Sequence, residues 1–470
     1  MSEMDRPSMA VQEPWPRRWD TRSAFDVKSF SRLPYLVSVI GLFIVAVVAL
    51  YVLQEVVWRT SRPPSSIFDQ VFVALFSICL VATPSAIAGV IGLLWTEKPF
   101  TPKRSAHRID TCVCFRIVSR GQNAEALRST VRNVRDMMAA SPAFPYRIEV
   151  VTDLPLTLDA GDDLVHLLVP QDYQTPKRAK FKARALQYAQ ETSDLPERAW
   201  IMHLDEESHI TPLLVDVIAE AVDQEDQRWM PRIGQGTILY HRDLGHQPFL
   251  TLADSIRVGD DLGRFHFQHR IGTMLFGLHG SFILVRNDIE KEVGFDFGPR
   301  GSITEDAFWA LVQMQNGHRS RWLKGHIVEQ STRSVRDFIQ QRRRWFIGLV
   351  LVVLYAPVAL RYRLGLIISV GAWSLSWVSL LVVIVNLVVG VELPWFVRLA
   401  GNLIYAYYVV LYVIGLRVML HADATRSAVR CAGYYAMLVI LMPVFALMEA
   451  AGVLYGLIRP DVGSFYVVKK

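Results

Sequence analysis

Acids that directly follow apolar runs are the first residues here whose types and spacing could do chemistry. In "HLDEES" (203–208) Asp205, Glu206 and Glu207 close one such run, and in "VVTD" Asp153 closes another. Carboxylates gathered at strand ends need a positive partner, and hard oxygen ligands there suit Mg2+ or Mn2+, ions that bridge to substrate phosphates. The bland account of the same acids is a solvated turn in which Asp205 or Ser208 caps the next helix. "SITEDAFWALVQM" sets Thr304, Glu305 and Asp306 at a helix start, where capping and the helix dipole alone also favour acids. "DFIQQRRRWFIGL" carries Gln341, Arg343, Arg344 and Trp345 just before an apolar run, a place where arginines often anchor a bilayer surface. Lys180, Lys182 and Arg184 in "KFKAR" could meet a diphosphate or form a solvated helix face. His279, Gly280 and Ser281 in "GLHGSFILVR" make a small turn before a strand.

The elements that must position these groups fall into two kinds of sequence. Of 470 residues 51% are hydrophobic and the mean hydropathy is positive, an excess concentrated in membrane-length runs. Residues 33–58, 68–95, 364–389, 399–420 and 432–458 can each cross roughly 30 Å of hydrocarbon, and none is expected to hold an ionisable residue deep in its centre. The first has too long an apolar core, and too early a successor, for a cleaved signal peptide. The run 346–360, which contains Pro357, is short for a span and reads as an interfacial or re-entrant helix. Arg17, Arg18, Arg22, Lys28 and Arg32 precede the first span, so the N-terminus faces the cytoplasm, and two crossings return the chain there. Three later crossings put Arg361, Arg363 and the group Arg417, Arg426 and Arg430 on that side as well.

This divides the chain into a disordered basic N-terminus (1–30), two transmembrane helices (33–95), one globular domain (101–336), interfacial helices with the arginine motif (337–360) and about three further spans (364–458). Within the domain "TCVCFRIVS", "YRIEVVTD" and "RAWIMHLDEE" read as strands, separated by the helices "NAEALRSTVRNVRDMMAAS" and "KFKARALQYAQE". Such alternation predicts an α/β domain with a mostly parallel, doubly wound sheet whose ligands bind beyond the carboxyl ends of the strands. Asp153 and the Asp205 group then overlook one crevice. The net charge of +6 is accounted for by bases at membrane boundaries, so no nucleic-acid partner is expected. Cys79 and Cys431 lie in spans, Cys112 and Cys114 alternate along one strand, and nothing has zinc spacing; all four read as structural thiols.

Taken in order, Asp153, "DEE", "TED" and "QRRRW" resemble the family-2 glycosyltransferases with a GT-A fold, the group that holds cellulose, chitin and hyaluronan synthases. The resemblance spans residues 112–345. More narrowly, "VPQDYQTPKRAKFKARALQYA", "HLDEES", "GSITEDAFWAL" and "EQSTRSVRDFIQQRRRWF" look like the egghead-type β-1,4-mannosyltransferases. The resemblance implies a Rossmann-like GT-A domain in the cytoplasm joined to an α-helical transmembrane bundle. It further implies transfer of mannose from GDP-mannose, with inversion, onto a glucosyl-lipid acceptor, aided by Mg2+ or Mn2+.

Residue roles follow from the same resemblance. Asp306 is the general base, and no enzyme nucleophile is required. Asp153 meets the nucleotide base and Asp205 the ribose or diphosphate side of the metal site. Glu207, at the third position of the acid group, holds the divalent metal with Asp205; family members usually carry Asp there, which leaves Glu206 as the alternative ligand. Lys182, Gln341 and Arg344, with Arg343, face the diphosphate. Trp345 stacks on the acceptor sugar, and Glu305, His279, Gly280 and Ser281 lie beside the reacting sugars. No obligate protein partner is expected. Two rivals are a processive UDP-sugar polysaccharide synthase and a non-catalytic membrane protein that binds sugar nucleotides.

Overall fold

The computed structural model describes residues 33–57, 61–97, 100, 108–422 and 427–460. The expected disordered segment 1–30, the bases Arg17 to Arg32 and Arg426 lie outside the described residues.

Helix α1 (Leu33–Val57) exposes Val37, Ile44, Val45, Val48 and Val52 along its length, as a helix facing lipid does. Helices α2 (Ile67–Phe76) and α3 (Thr83–Leu94) run on from one another through a 3-10 turn. Ser66 and Asp69 form a capping box that starts α2.

The globular part then folds as β1 (Val113–Ser119), α4 (Ala124–Ala140), β2 (Tyr146–Thr152), β3 (Leu164–Leu168), α5 (Phe181–Thr192), β4 (Trp200–Asp205), α6 (Pro212–Asp226) and β5 (Ile233–Leu239). It continues through α7 (Pro248–Asp260), α8 (His266–Arg270), β6 (Ile283–Arg286), α9 (Asn287–Val293), α10 (Glu305–Gln315) and β7 (Ser320–Val328). Among the described residues seven strands form one sheet, in the order β3-β2-β1-β4-β6-β5-β7. Only β6 runs antiparallel to its neighbours, so the sheet is mostly parallel, as the alternation of strands and helices predicted. β1 is buried throughout at the centre. Ser119 pairs with Thr152 and Val118 with Asp205, so the carboxyl ends of β1, β2 and β4 stand level.

Arg116, in the middle of β1, is fully buried between Glu149 of β2 and Glu290 of α9, and Glu290 also binds His203 of β4. This paired charge network locks three strands and a helix together, and every member would be costly to bury alone.

After the sheet come α11 (Val335–Tyr355), α12 (Leu360–Ser374), α13 (Ser376–Val389), α14 (Trp395–Ala422) and α15 (Ala428–Ile458). Ser334 caps α11, and Ala356, the residue before Pro357, takes the extended conformation that ends it. The arginine motif and most of the apolar run 346–360 therefore share one continuous helix. Among the described residues five helices are long and apolar enough to cross a membrane: Tyr35–Val56, Ile67–Leu94, Leu360–Val389, Trp395–Ala422 and Ala428–Ile458. The chain is a multi-pass membrane protein.

One expectation about the spans fails. Glu449 lies well inside α15, where it receives a hydrogen bond of 2.6 Å from Arg342 Nε; the pairing makes a carboxylate tolerable there.

The sequence reading did not single out α7, yet α7 joins the sheet to the spans. A β-carbon at Gly259 would stand 2.1 Å from the carbonyl oxygen of Leu411, and one at Gly415 only 1.8 Å from that of Ser255. Two backbones approach this closely only through glycine, which is how α7 docks on α14.

Candidate active site

Asp205 ends β4, and the turn after it carries Glu207 inward. There its carboxylate joins those of Asp205 and Glu329, with one oxygen from each within 4.8 Å of the others. Glu206 turns the other way: its side chain accepts from Ser119 Oγ and its carbonyl from Thr130 Oγ1 at 2.7 Å. Of the two acids left open by the sequence, Glu207 is the one in the cluster. Ser208 Oγ accepts from the Asp205 backbone N–H (3.1 Å) and bonds Glu329 Oε1 at 3.0 Å, while Ser281 Oγ lies 2.9 Å away. A set of hard carboxylate oxygens this close fits a divalent cation.

The capping account of "DEES" does not hold. Helix α6 is capped by Thr211, whose hydroxyl accepts from the Leu214 N–H, with Pro212 at its first position. Glu329 was missed in the sequence although it follows β7 directly, the same pattern as Asp153 after β2.

Lys182 opens α5 and donates from Nζ to Asp205 Oδ1 (2.5 Å) and to the Gly280 carbonyl (2.7 Å). Burial lowers the pKa of its ammonium, but Asp205, Glu305 and Asp306 outweigh that and hold it above the usual lysine range. Gly280 sits where these groups converge: a β-carbon there would lie 3.1 Å from Asp306 Oδ2 and 3.3 Å from Lys182 Nζ. Thr304 makes no side-chain cap for α10, so "TED" is not a simple capping motif. Burial pushes the Glu305 carboxyl up, and the neighbouring Asp306 pushes it further. Asp306 is raised mainly by burial, against the Ala307 N–H bound to Oδ1 at 2.8 Å and the nearby Lys182.

The phase of α11 sorts its arginines. Gln341, Arg344 and Trp345 stand three and four residues apart, share one face and line the cavity. Arg344 faces Asp205, Glu305, Glu207 and Asp306; burial lowers its pKa against the pull of these acids. Arg342 instead ties α11 to Asp254 of α7 (2.8 Å), to Glu449 and to Gln341. Arg343 departs from the expected contact with a diphosphate. It donates to the carbonyl of Arg459 at 2.7 Å and lies over the Tyr455 ring, away from the acids. Trp345 lines the cavity, with Arg257 4.4 Å and Arg342 4.7 Å from its ring centre. Asp153 stands at the rim and accepts from Arg184 Nη2 at 2.5 Å.

Apart from Arg343, the residues named for the site in the sequence thus border one cavity of about 1450 Å³, larger than a single small-molecule pocket. The cavity does not stop at the sheet. It continues past His279 and Phe265 to Cys79 of the second span, Val370 of the third and Tyr408 of the fourth.

Clustered acids at the strand ends of a mostly parallel sheet, a buried carboxyl beside them and a floor of membrane helices define a membrane glycosyltransferase of GT-A type. The sequence says which: the chain belongs to glycosyl transferase family group 2, whose profile matches residues 200–420. It is 30% identical over 400 residues to the β-1,4-mannosyltransferase bre-3 of Caenorhabditis elegans, covering 83% of this chain and 86% of the relative. It is 31% identical over 361 residues to the β-1,4-mannosyltransferase egh of Drosophila melanogaster, covering 76% and 78%. Among solved structures, the mannosyltransferase PcManGT from Pyrobaculum calidifontis in complex with GDP-Man and Mn2+ matches 82% of this chain and 99% of its own, at 12% identity and a TM-score of 0.44.

Proposed function

We propose that this enzyme transfers mannose from GDP-mannose, in β-1,4 linkage, onto a glucosyl lipid held in the membrane, with its catalytic domain and N-terminus in the cytoplasm. The observation that carries this reading is the single cavity that joins the acidic cluster and Asp306 to the spaces between the spans. The names of the curated relatives support the sugar and the linkage. The bases before the first span and in the loops support the orientation.

Asp205, Glu207 and Glu329 would hold a divalent ion, Mg2+ or Mn2+, which when bound supplies positive charge to a diphosphate. Lys182 and Arg344 bring further positive charge to the same place, and Gln341 adds an amide. Asp153, paired with Arg184, meets the nucleoside. Asp306 accepts the proton of the acceptor hydroxyl through Oδ2, since Oδ1 is occupied by the Ala307 N–H. As the hydroxyl oxygen attacks the anomeric carbon, the bond from that carbon to the diphosphate oxygen breaks with its electron pair, and GDP leaves. A single displacement inverts the configuration. Glu305, His279, Gly280, Ser281 and Trp345 surround the two sugars.

The test is a transfer assay read by mass spectrometry, with purified protein, Mg2+ or Mn2+, glucosyl lipids, and GDP-mannose, UDP-glucose or UDP-N-acetylglucosamine in parallel. One hexose gained from GDP-mannose alone is expected. A polymer ladder from a UDP-sugar would replace the reading with a synthase, and donor binding without transfer would replace it with a non-catalytic binder.

A further inference from the structure

Between α7 and α8 the helix takes one π-helical turn, Asp261–Phe265, and such bulges re-aim side chains without ending a helix. Here the turn directs both of its ends at the same partner. Asp261 Oδ1 accepts from His279 Nε2 at 2.6 Å, and the Phe265 ring packs on the imidazole with centres 4.2 Å apart. Asp261 is itself buried, and its second oxygen accepts from the Ile238 N–H at 3.0 Å. The backbone of His279 is clamped as well: Gln235 accepts from its N–H and donates to its carbonyl, both at 3.2 Å. An imidazole held at its face, at one nitrogen and along its backbone has very little freedom left.

We propose that Asp261 is a positioning residue for glycosyl transfer. By holding the proton of His279 on Nε2, it leaves Nδ1 as an acceptor for one hydroxyl of the acceptor sugar. The acceptor, rather than the donor, is assigned to His279 because of where the ring stands. It borders the cavity next to Gly280 and Asp306 and packs on Phe265, which the cavity passes on its way to the spans. The inference rests on the proposed glycosyl-lipid acceptor and adds how that sugar is oriented toward Asp306.

The experiment compares the wild-type chain with Asp261→Asn, using the glucosyl lipid and a panel of its monodeoxy analogues. Asparagine keeps an oxygen for the Ile238 N–H but turns its amide toward Nε2, which moves the imidazole proton to Nδ1 and converts the acceptor into a donor. Asp261→Asn is expected to lower kcat/KM for the acceptor about tenfold, because the sugar hydroxyl can no longer donate its proton to His279 and must turn it away, with the KM for the donor and Tm unchanged. One deoxy analogue should cost the wild-type chain a similar factor and cost Asp261→Asn nothing further. A merely structural aspartate would show no such coupling. Should Asp261→Asn fail to fold, His279→Ala must show the same selective insensitivity to that analogue. Unchanged acceptor kinetics, an equal rise in donor KM, or full sensitivity of the variants to every deoxy analogue would overturn the inference alone. Absence of transfer by the wild-type chain would remove the proposed function and this inference with it.

Discussion

Asp306, the proposed base, shows what burial does to a carboxyl. Its pKa is raised, so the form able to take a proton persists only above a pH higher than an ordinary aspartate requires. Acidification should therefore cut the transfer rate from above the usual carboxylate range downward, and the pH profile of kcat would reveal this; a flat profile down to about pH 4 would refute it. Asp306→Asn should lower kcat by about a hundredfold or more, the usual contribution of a general base, while GDP-mannose still binds in calorimetry. Glu329→Gln should raise the divalent-ion concentration needed for half-maximal rate by at least about tenfold; an unchanged metal titration would remove Glu329 from the ligand set. Asp153, Asp205 and Asp306 were legible because each is an acid at the edge of a clear apolar or helical pattern. Asp261 was not, because only the π turn brings it to residues far away in sequence; Glu329 carries the same strand-end signal as Asp153 but was passed over because β7 was not read as a strand. Arg343 and Arg344 differ only by helix phase, which a run of identical residues conceals.

At the scale of elements, the paired charges around Arg116 carry the clearest consequence. Arg116→Ala would leave Glu149 and Glu290 buried without their cation, and should destabilise the domain by about 3–5 kcal/mol, read as a large fall in Tm in detergent. A fall of under a degree would mean that water reaches those acids. Strands β1, β2 and β4 were readable because a run of apolar residues between two helices leaves little alternative. Strand β3 is short and β5 contains two glycines, so local pattern had little to offer there; the strand after the His279 turn was anticipated, but not its antiparallel pairing as β6 with strands distant in sequence. Helix α7 escaped for another reason: its pattern is that of an ordinary amphipathic helix, and the glycine that marks its docking on α14 has meaning only beside the glycine it faces. Local rules also competed at "DEES", where Asp205 and Ser208 have good capping chemistry but Thr211-Pro212 lies nearer the helix and takes the role.

For the whole molecule, the five spans were legible because hydropathy over some 19 residues depends on composition rather than on contacts. Their share in the active site was not, since no window of sequence shows that a catalytic cavity continues between helices. That continuity favours an acceptor that arrives from the bilayer. A short-chain glucosyl lipid should be used much better than free glucose by the solubilised enzyme, and equal rates would separate the spans from catalysis. The cavity also changes what substrate concentration means. An acceptor that enters from between the helices is sampled in two dimensions, so the enzyme responds to its mole fraction among the lipids and not to its amount per litre. With the proposed lipid acceptor, diluting the membrane with inert lipid would then slow the reaction even when nothing is removed from the tube, and the composition of the sheet in which the enzyme floats would set its flux.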